Sequence, residues 1–133
     1  MAKKNIPLLK RLRTRFLRMR HKKHFNMDDV VQKTECGAAL CIAGHTLALA
    51  GYKYRFPDEY DPAQWFRPDG QEVEPLDEAQ RLLGLTFNEA QLETDDYYEN
   101  NNARKNGLFF RYDLKTPKQA AKVIEKLIGQ ASM

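Results

Sequence analysis

Apolar positions recur with a helical period almost from the start of the chain. Leu8, Leu9, Leu12, Phe16 and Met19 fall on one stripe, with Leu17 flanking it. Lys10, Arg11, Arg13, Arg15, Arg18 and Arg20 cover the remainder of the surface. Asn5-Ile6-Pro7 reads as the start, with Asn5 or Ile6 at the cap and Pro7 in the first turn. The pattern predicts a helix over Leu8–His21, and His21, Lys22, Lys23 and His24 at its end suit the negative end of its dipole.

The segment Phe25–Val31 is too short to assign. After it, Ala38, Ala39, Leu40, Cys41, Ile42, Ala43, Leu47, Ala48, Leu49 and Ala50 are apolar almost all round. This predicts a central buried helix from Cys36 or Gly37 to Ala50, capped near Thr34 or Glu35 and stopped by Gly51. Tyr52–Gly70 reads as loop on the strength of Pro57, Pro62, Pro68 and Gly70, with Trp65 and Phe66 plugging the core from it. A third helix is expected over Leu76–Leu83, stopped by Gly84. A fourth starts at Thr86, where Thr86 and Glu89 have capping-box spacing. Asp95–Gly107 is polar loop, and Leu108–Tyr112 is a short strand or an irregular aromatic segment. Thr116-Pro117-x-Gln119 opens a last helix that runs to Ile128, with Gly129 closing it. The expected fold is all-α or mainly α, a compact single-domain bundle around the Cys36–Ala50 helix. Its parts are a basic amphipathic arm over residues 1–24 and a helical domain over 25–133.

Charge changes this picture most. Residues 1–23 hold ten Lys or Arg and no acid, whereas residues 24–133 hold twelve Lys or Arg against eighteen acids. A net charge of +4 therefore conceals a basic arm on a mildly acidic body. Such an arm can engage nucleic acid, an anionic surface, a partner's groove or its own body. The apolar run Ala38–Ala50 is too short and too polar to span a bilayer, and no apolar segment of signal-peptide type follows the first charges. A cytoplasmic protein is expected, in the host cytoplasm if the chain is phage-encoded.

Three other constellations invite chemistry. A cysteine at the start of the central helix, Cys36, would meet unpaired N–H groups and the positive dipole end, which favour a thiolate. Thr34-Glu35-Cys36-Gly37 also resembles the Glu-Cys-Gly motif that opens the central helix of bacteriocin-processing cysteine peptidases, over about ten residues. Those enzymes bring a histidine base from a later strand, and no histidine follows His45 here. The plainer reading is a small side chain at a crowded helix start. Cys36 and Cys41 on one helix would diverge by roughly 140°, so two reduced thiols are expected. Cys41 and His45 lie four apart, and with Cys36, His21 or His24 they could make a metal set. The spacing Cys-x₄-Cys-x₃-His matches no common zinc pattern, and a packed core histidine is the plainer reading. Ala79–Ala90 has the outline of a helix-turn-helix, but Glu89 and Glu93 on its second helix would be repelled by phosphates.

The stretch Phe25-Asn26-Met27 followed by Cys36-Gly37-Ala38-Ala39-Leu40-Cys41-Ile42-Ala43-Gly44-His45 resembles a family of small uncharacterised bacterial and phage proteins. Their pattern is Cys-Gly-x-x-x-Cys-Ile-Ala-Gly-Trp/His. Ala79-x-x-Leu82-Leu83-Gly84-Leu85 and Thr116-Pro117-x-Gln119-Ala120-Ala121-x-Val123-Ile124 extend the likeness across much of residues 25–128. The resemblance implies no activity. It implies that His45 is a packing residue, because tryptophan takes that place in the family. The basic arm is a departure from the pattern.

The expected function is a non-enzymatic interaction protein. It would bind a nucleic acid, a nucleoprotein or another protein through Lys10, Arg11, Arg13, Arg15, Arg18, Arg20, Lys22 and Lys23, with no cofactor. The alternative is a cysteine-dependent hydrolase or transferase with Cys36 as nucleophile, or a metal site on Cys36, Cys41 and His45.

Overall fold

The structure, a computed structural model, describes residues 3–19, 25, 31–34, 37–57, 63–91, 107–111 and 114–131, and within these the side chains of 31–34, 37–39 and 130–131 are not described. Helix α1 spans Ile6–Leu17. The backbone N–H of Leu8 donates to the Asn5 side chain at 3.2 Å, and Pro7 occupies the first turn where it breaks no hydrogen bond. Strands β1 (Val31–Thr34) and β2 (Gly37–Leu40) form an antiparallel hairpin, pairing Val31 with Leu40 and Thr34 with Gly37. Helix α2 (Ile42–Leu49) follows directly, with Cys41 in extended backbone at its cap. Strands β3 (Lys53–Arg55), β4 (Gln64–Phe66) and β5 (Glu72–Val73) form a second antiparallel sheet in that order. Helices α3 (Pro75–Leu83) and α4 (Phe87–Ala90), a 3₁₀ turn at Leu108–Phe110 and helix α5 (Pro117–Ala131) complete the chain.

The fold is mixed α/β, which corrects the expected all-α or mainly α bundle around a Cys36–Ala50 helix. The error has a physical source. Apolar residues from Ala38 to Ala50 form one run, broken only by Gly44, His45 and Thr46, and periodicity cannot divide such a run between a strand and a buried helix. The division falls at Cys41, so only the second half is helical. Tyr52–Gly70 is likewise not plain loop. It holds β3 and β4, of three residues each, and the two-residue β5 lies just beyond it, all too short for a period-two pattern to register. The Pro68-Asp69-Gly70 turn is what joins β4 to β5: Gly70 N–H donates to Arg67 O at 2.8 Å and Gly70 sits at φ 95°.

The core forms where α1 lies between α2 and α5. Leu8, Leu9, Leu12 and Phe16 of α1 are buried against Ile42, Ala43 and Leu47 of α2 and Ala120, Ala121, Ile124 and Ile128 of α5. Trp65 on β4 is fully buried, as its predicted plugging role requires, while Phe66 is half-buried. Six of the eight α2 residues are buried, and the buried Thr46 hydroxyl satisfies itself by donating to Ile42 O at 2.8 Å. The caps read from sequence at α4 and α5 are present: Glu89 N–H donates to the Thr86 hydroxyl and Gln119 N–H to the Thr116 hydroxyl. Helix α4 is only one turn long, and α5 runs through Gly129 rather than ending there.

The N-terminal segment is strapped across the end of α3. Asn5 N–H donates to Leu83 O at 2.8 Å, Asn5 Nδ2 donates to Leu82 O at 2.9 Å, and Lys4 Nζ meets Glu89 Oε2 at 2.8 Å. Gly84 ends α3 at φ 69°, and a β-carbon there would fall 2.0 Å from Lys3 O. The glycine thus serves both the left-handed helix end and the close passage of the strap.

Candidate functional site

Folding divides the cations of α1 and its C-cap residue Arg18 into three groups. Arg11 and Arg15 flank the side toward α2: Arg11 Nη2 donates to Leu49 O at 3.3 Å, and Arg15 Nε donates to His45 Nδ1 at 2.9 Å. Arg13 flanks the side toward α5, with its Nη1 3.9 Å from Glu125 Oε1. Lys10 and Arg18 point outward and make no side-chain hydrogen bond or ion pair with a described residue. Thr14 and Leu17 share that outward face. The Arg13–Glu125 pair neutralises little, because the Glu125 side chain is 66% exposed and the distance is at the limit of a direct pair.

Of the residues proposed from sequence, Lys10, Arg11, Arg13 and Arg18 therefore border one solvent-facing surface. Arg15 does not, since it turns inward to His45 and burial lowers its pKa from the ordinary value. Arg20, Lys22 and Lys23 lie outside the described residues, as do His21 and His24.

The chemistry read at Cys36 fares differently. Cys36 lies outside the described residues, but the helix start that motivated it is at Ile42, and it is Cys41 that holds the cap position. Cys41 is buried and makes no side-chain capping bond. His45 is also buried, edge-on to Phe16 at 5.1 Å and stacked with Phe25 at 6.5 Å. Its Nδ1 is committed as the acceptor of the Arg15 guanidinium. Among the described residues no group of three or more His, Cys, Asp or Glu could hold a metal ion.

Two features went unread in the sequence. The first is Lys118, Lys122 and Lys126, which lie four residues apart on the exposed face of α5, opposite the buried Ala120, Ile124 and Ile128. Their i, i+4 spacing was legible, but it means little until α5 is known to pack along α1. The second is a polar knot around Glu78, which is only 6% exposed. Its Oε2 accepts from Arg67 Nε at 2.6 Å, from the Tyr52 hydroxyl at 2.6 Å and from Arg81 Nη2 at 3.1 Å. Its Oε1 accepts from Arg81 Nε at 3.1 Å and Arg67 Nη2 at 3.3 Å. The Arg67 and Arg81 hydrogen bonds hold the Glu78 carboxyl far below the usual carboxylate range, against the opposing effect of burial. The knot ties α3 to the β3–β5 sheet, and both oxygens of the Glu78 carboxylate are engaged in it.

A wide-mouthed depression of about 680 Å³ opens beside β4 and β5, lined by Pro57, Trp65, Val73 and Pro75. The Trp65 indole N–H is buried and has no acceptor among the described residues. The exposed carboxylates of Glu72 and Glu74 stand on its rim.

In comparisons with known proteins, no family model, no curated protein and no solved structure matches the chain. Among the described residues no helix is long and apolar enough to cross a membrane.

Proposed function

We propose that this chain is a non-enzymatic interaction protein that docks on nucleic acid, bare or within a nucleoprotein, through the outward cations of α1. Arg20, Lys22 and Lys23, which follow in the sequence and lie outside the described residues, are included in the proposal as further cations. The observation that carries the reading is the state of Lys10 and Arg18: α1 has placed its apolar stripe in the core, yet these two cations keep no carboxylate partner among the described residues. Phosphates are the complementary partner, and binding would release their condensed counterions.

The same burial disfavours a lipid surface. A helix that lies in a membrane interface must sink an apolar face into the headgroup boundary. In α1 that face is Leu8, Leu9, Leu12 and Phe16, all inside the core, and only Leu17 remains exposed among its large apolar side chains. Electrostatics alone would then have to hold the protein on lipid.

The test is fluorescence anisotropy with a labelled random-sequence DNA duplex over a salt series, with anionic vesicles as the competing surface. The expected result is binding at low salt that weakens steeply as salt rises. Lys10→Gln combined with Arg18→Gln should reduce the log–log salt slope by about two. Absence of duplex binding at low salt, or sedimentation with vesicles in preference to DNA, would overturn the reading.

A further inference from the structure

We infer that α5 supplies the second half of the nucleic-acid interface, and that the ligand is a double-stranded nucleic acid gripped by its phosphates without sequence preference. This rests on the reading of α1 above and extends it to Lys118, Lys122 and Lys126.

Three observations carry it. First, α1 and α5 pack side by side, and Arg13 reaches Glu125 across the junction, so their outward faces adjoin. Together the two helices hold seven Lys or Arg, of which only Arg15 turns inward to His45, and one carboxylate, Glu125. The carboxylates of the following sheet and helices, Glu72, Glu74, Asp77, Glu78 and Glu89, belong instead to β5, α3 and α4 and their caps. Second, Lys118, Lys122 and Lys126 are exposed and make no side-chain hydrogen bond or ion pair with a described residue. Eight residues of helix rise about 12 Å, which spans three to four phosphates of one strand at roughly 3.4 Å of axis each. Their side chains lie within an arc of about 80°, so one rod of phosphates can meet all three. Third, the exposed faces of both helices lack aromatic rings among the described residues, since Phe16 is buried. Proteins that grip single strands stack bases on exposed aromatics. Lysine stems without such platforms suit the uniform backbone of a duplex, and long point-charge side chains fix no base identity.

The experiment compares the full chain with Lys118→Gln/Lys122→Gln/Lys126→Gln, and with the single variants Lys122→Gln and Lys53→Gln. Lys53 is an exposed lysine on β3, away from α1 and α5 in the sequence of elements, and controls for loss of one charge. Each is titrated by anisotropy against a random-sequence duplex and against a single strand of the same length over a salt series. Unchanged far-ultraviolet circular dichroism checks folding, which exposed Lys→Gln changes should leave intact. The expected result is duplex binding by the parent chain in preference to the single strand. The triple variant should lose about three from the log–log salt slope, and Lys122→Gln should weaken binding more than Lys53→Gln. If the parent binds and the α1 variant Lys10→Gln/Arg18→Gln is weakened while the triple variant matches the parent, the role of α5 is overturned and that of α1 stands. Equal losses in Lys122→Gln and Lys53→Gln, or tighter binding of the single strand, would also overturn the inference. A parent chain that binds no nucleic acid at low salt overturns both readings.

Discussion

Replacing Glu78 by glutamine asks how much the sheet depends on its anchor to α3. The change keeps shape and removes the charge. The native carboxylate accepts from Arg67, Arg81 and the Tyr52 hydroxyl, with both oxygens engaged. Glutamine offers one oxygen, and its NH₂ would face guanidinium donors. Hydrogen bonds to charged groups contribute about 1.5–3 kcal/mol each, but both arginines reach solvent and can rehydrate once released. The expected loss is therefore that of one to two such bonds, about 3 kcal/mol. For a chain of this size that lowers the Tm by roughly 10 °C. The assay is thermal and urea unfolding followed by circular dichroism from pH 7 down to pH 3. The native pKa of Glu78 is depressed, so its contribution is complete above the unfolded-state pKa of about 4.3 and declines as pH falls toward the native value. The gap between parent and variant should be constant from pH 7 to 5 and narrow below about pH 4. A gap under about 1 kcal/mol at pH 7 would refute the reasoning, as would a gap that does not narrow in acid.

Other substitutions probe the scaffold beneath the basic face. Gly84→Ala should cost about 2 kcal/mol or more, because the new β-carbon meets Lys3 O and the residue is left-handed. Gly129→Ala, on α5 with open space around it, should stabilise by about 0.5–1 kcal/mol in the same urea titrations. Phe16→Ala should lose about 3–5 kcal/mol, whereas Leu17→Ala, one position along and exposed, should stay within about 0.5 kcal/mol. Thr116→Ala should cost about 1 kcal/mol through loss of the α5 cap.

Local chemistry was legible wherever it acts within a few residues. The Asn5, Thr86 and Thr116 caps, the Gly84 stop and the α1 stripe follow from side chains three or four positions apart, and they stand where the spacing puts them. What failed depends on distant partners. Ala38 and Ala39 are good helix formers, yet they pair with Lys33 and Gln32 in a hairpin. Strands of two or three residues become recognisable only when β4 lies between β3 and β5. The candidate site divides in the same way. The cations of α1 were evident from composition, but the inward turn of Arg15 depends on His45, thirty residues later. The lysines of α5 acquire meaning only through a helix pairing that joins the two ends of the chain.

The central claim, that the outward face of α1 is where a phosphate backbone lands, is tested most directly by nuclear magnetic resonance. An amide chemical-shift titration of the labelled chain with a random-sequence DNA duplex maps the contact residue by residue. The account predicts the largest shifts at Lys10, Thr14, Leu17 and Arg18, with a second set at Lys118, Lys122 and Lys126 and little change along α3 and α4. Shifts confined to α3, α4 or the β3–β5 sheet would contradict it, as would a spectrum that the duplex leaves unmoved.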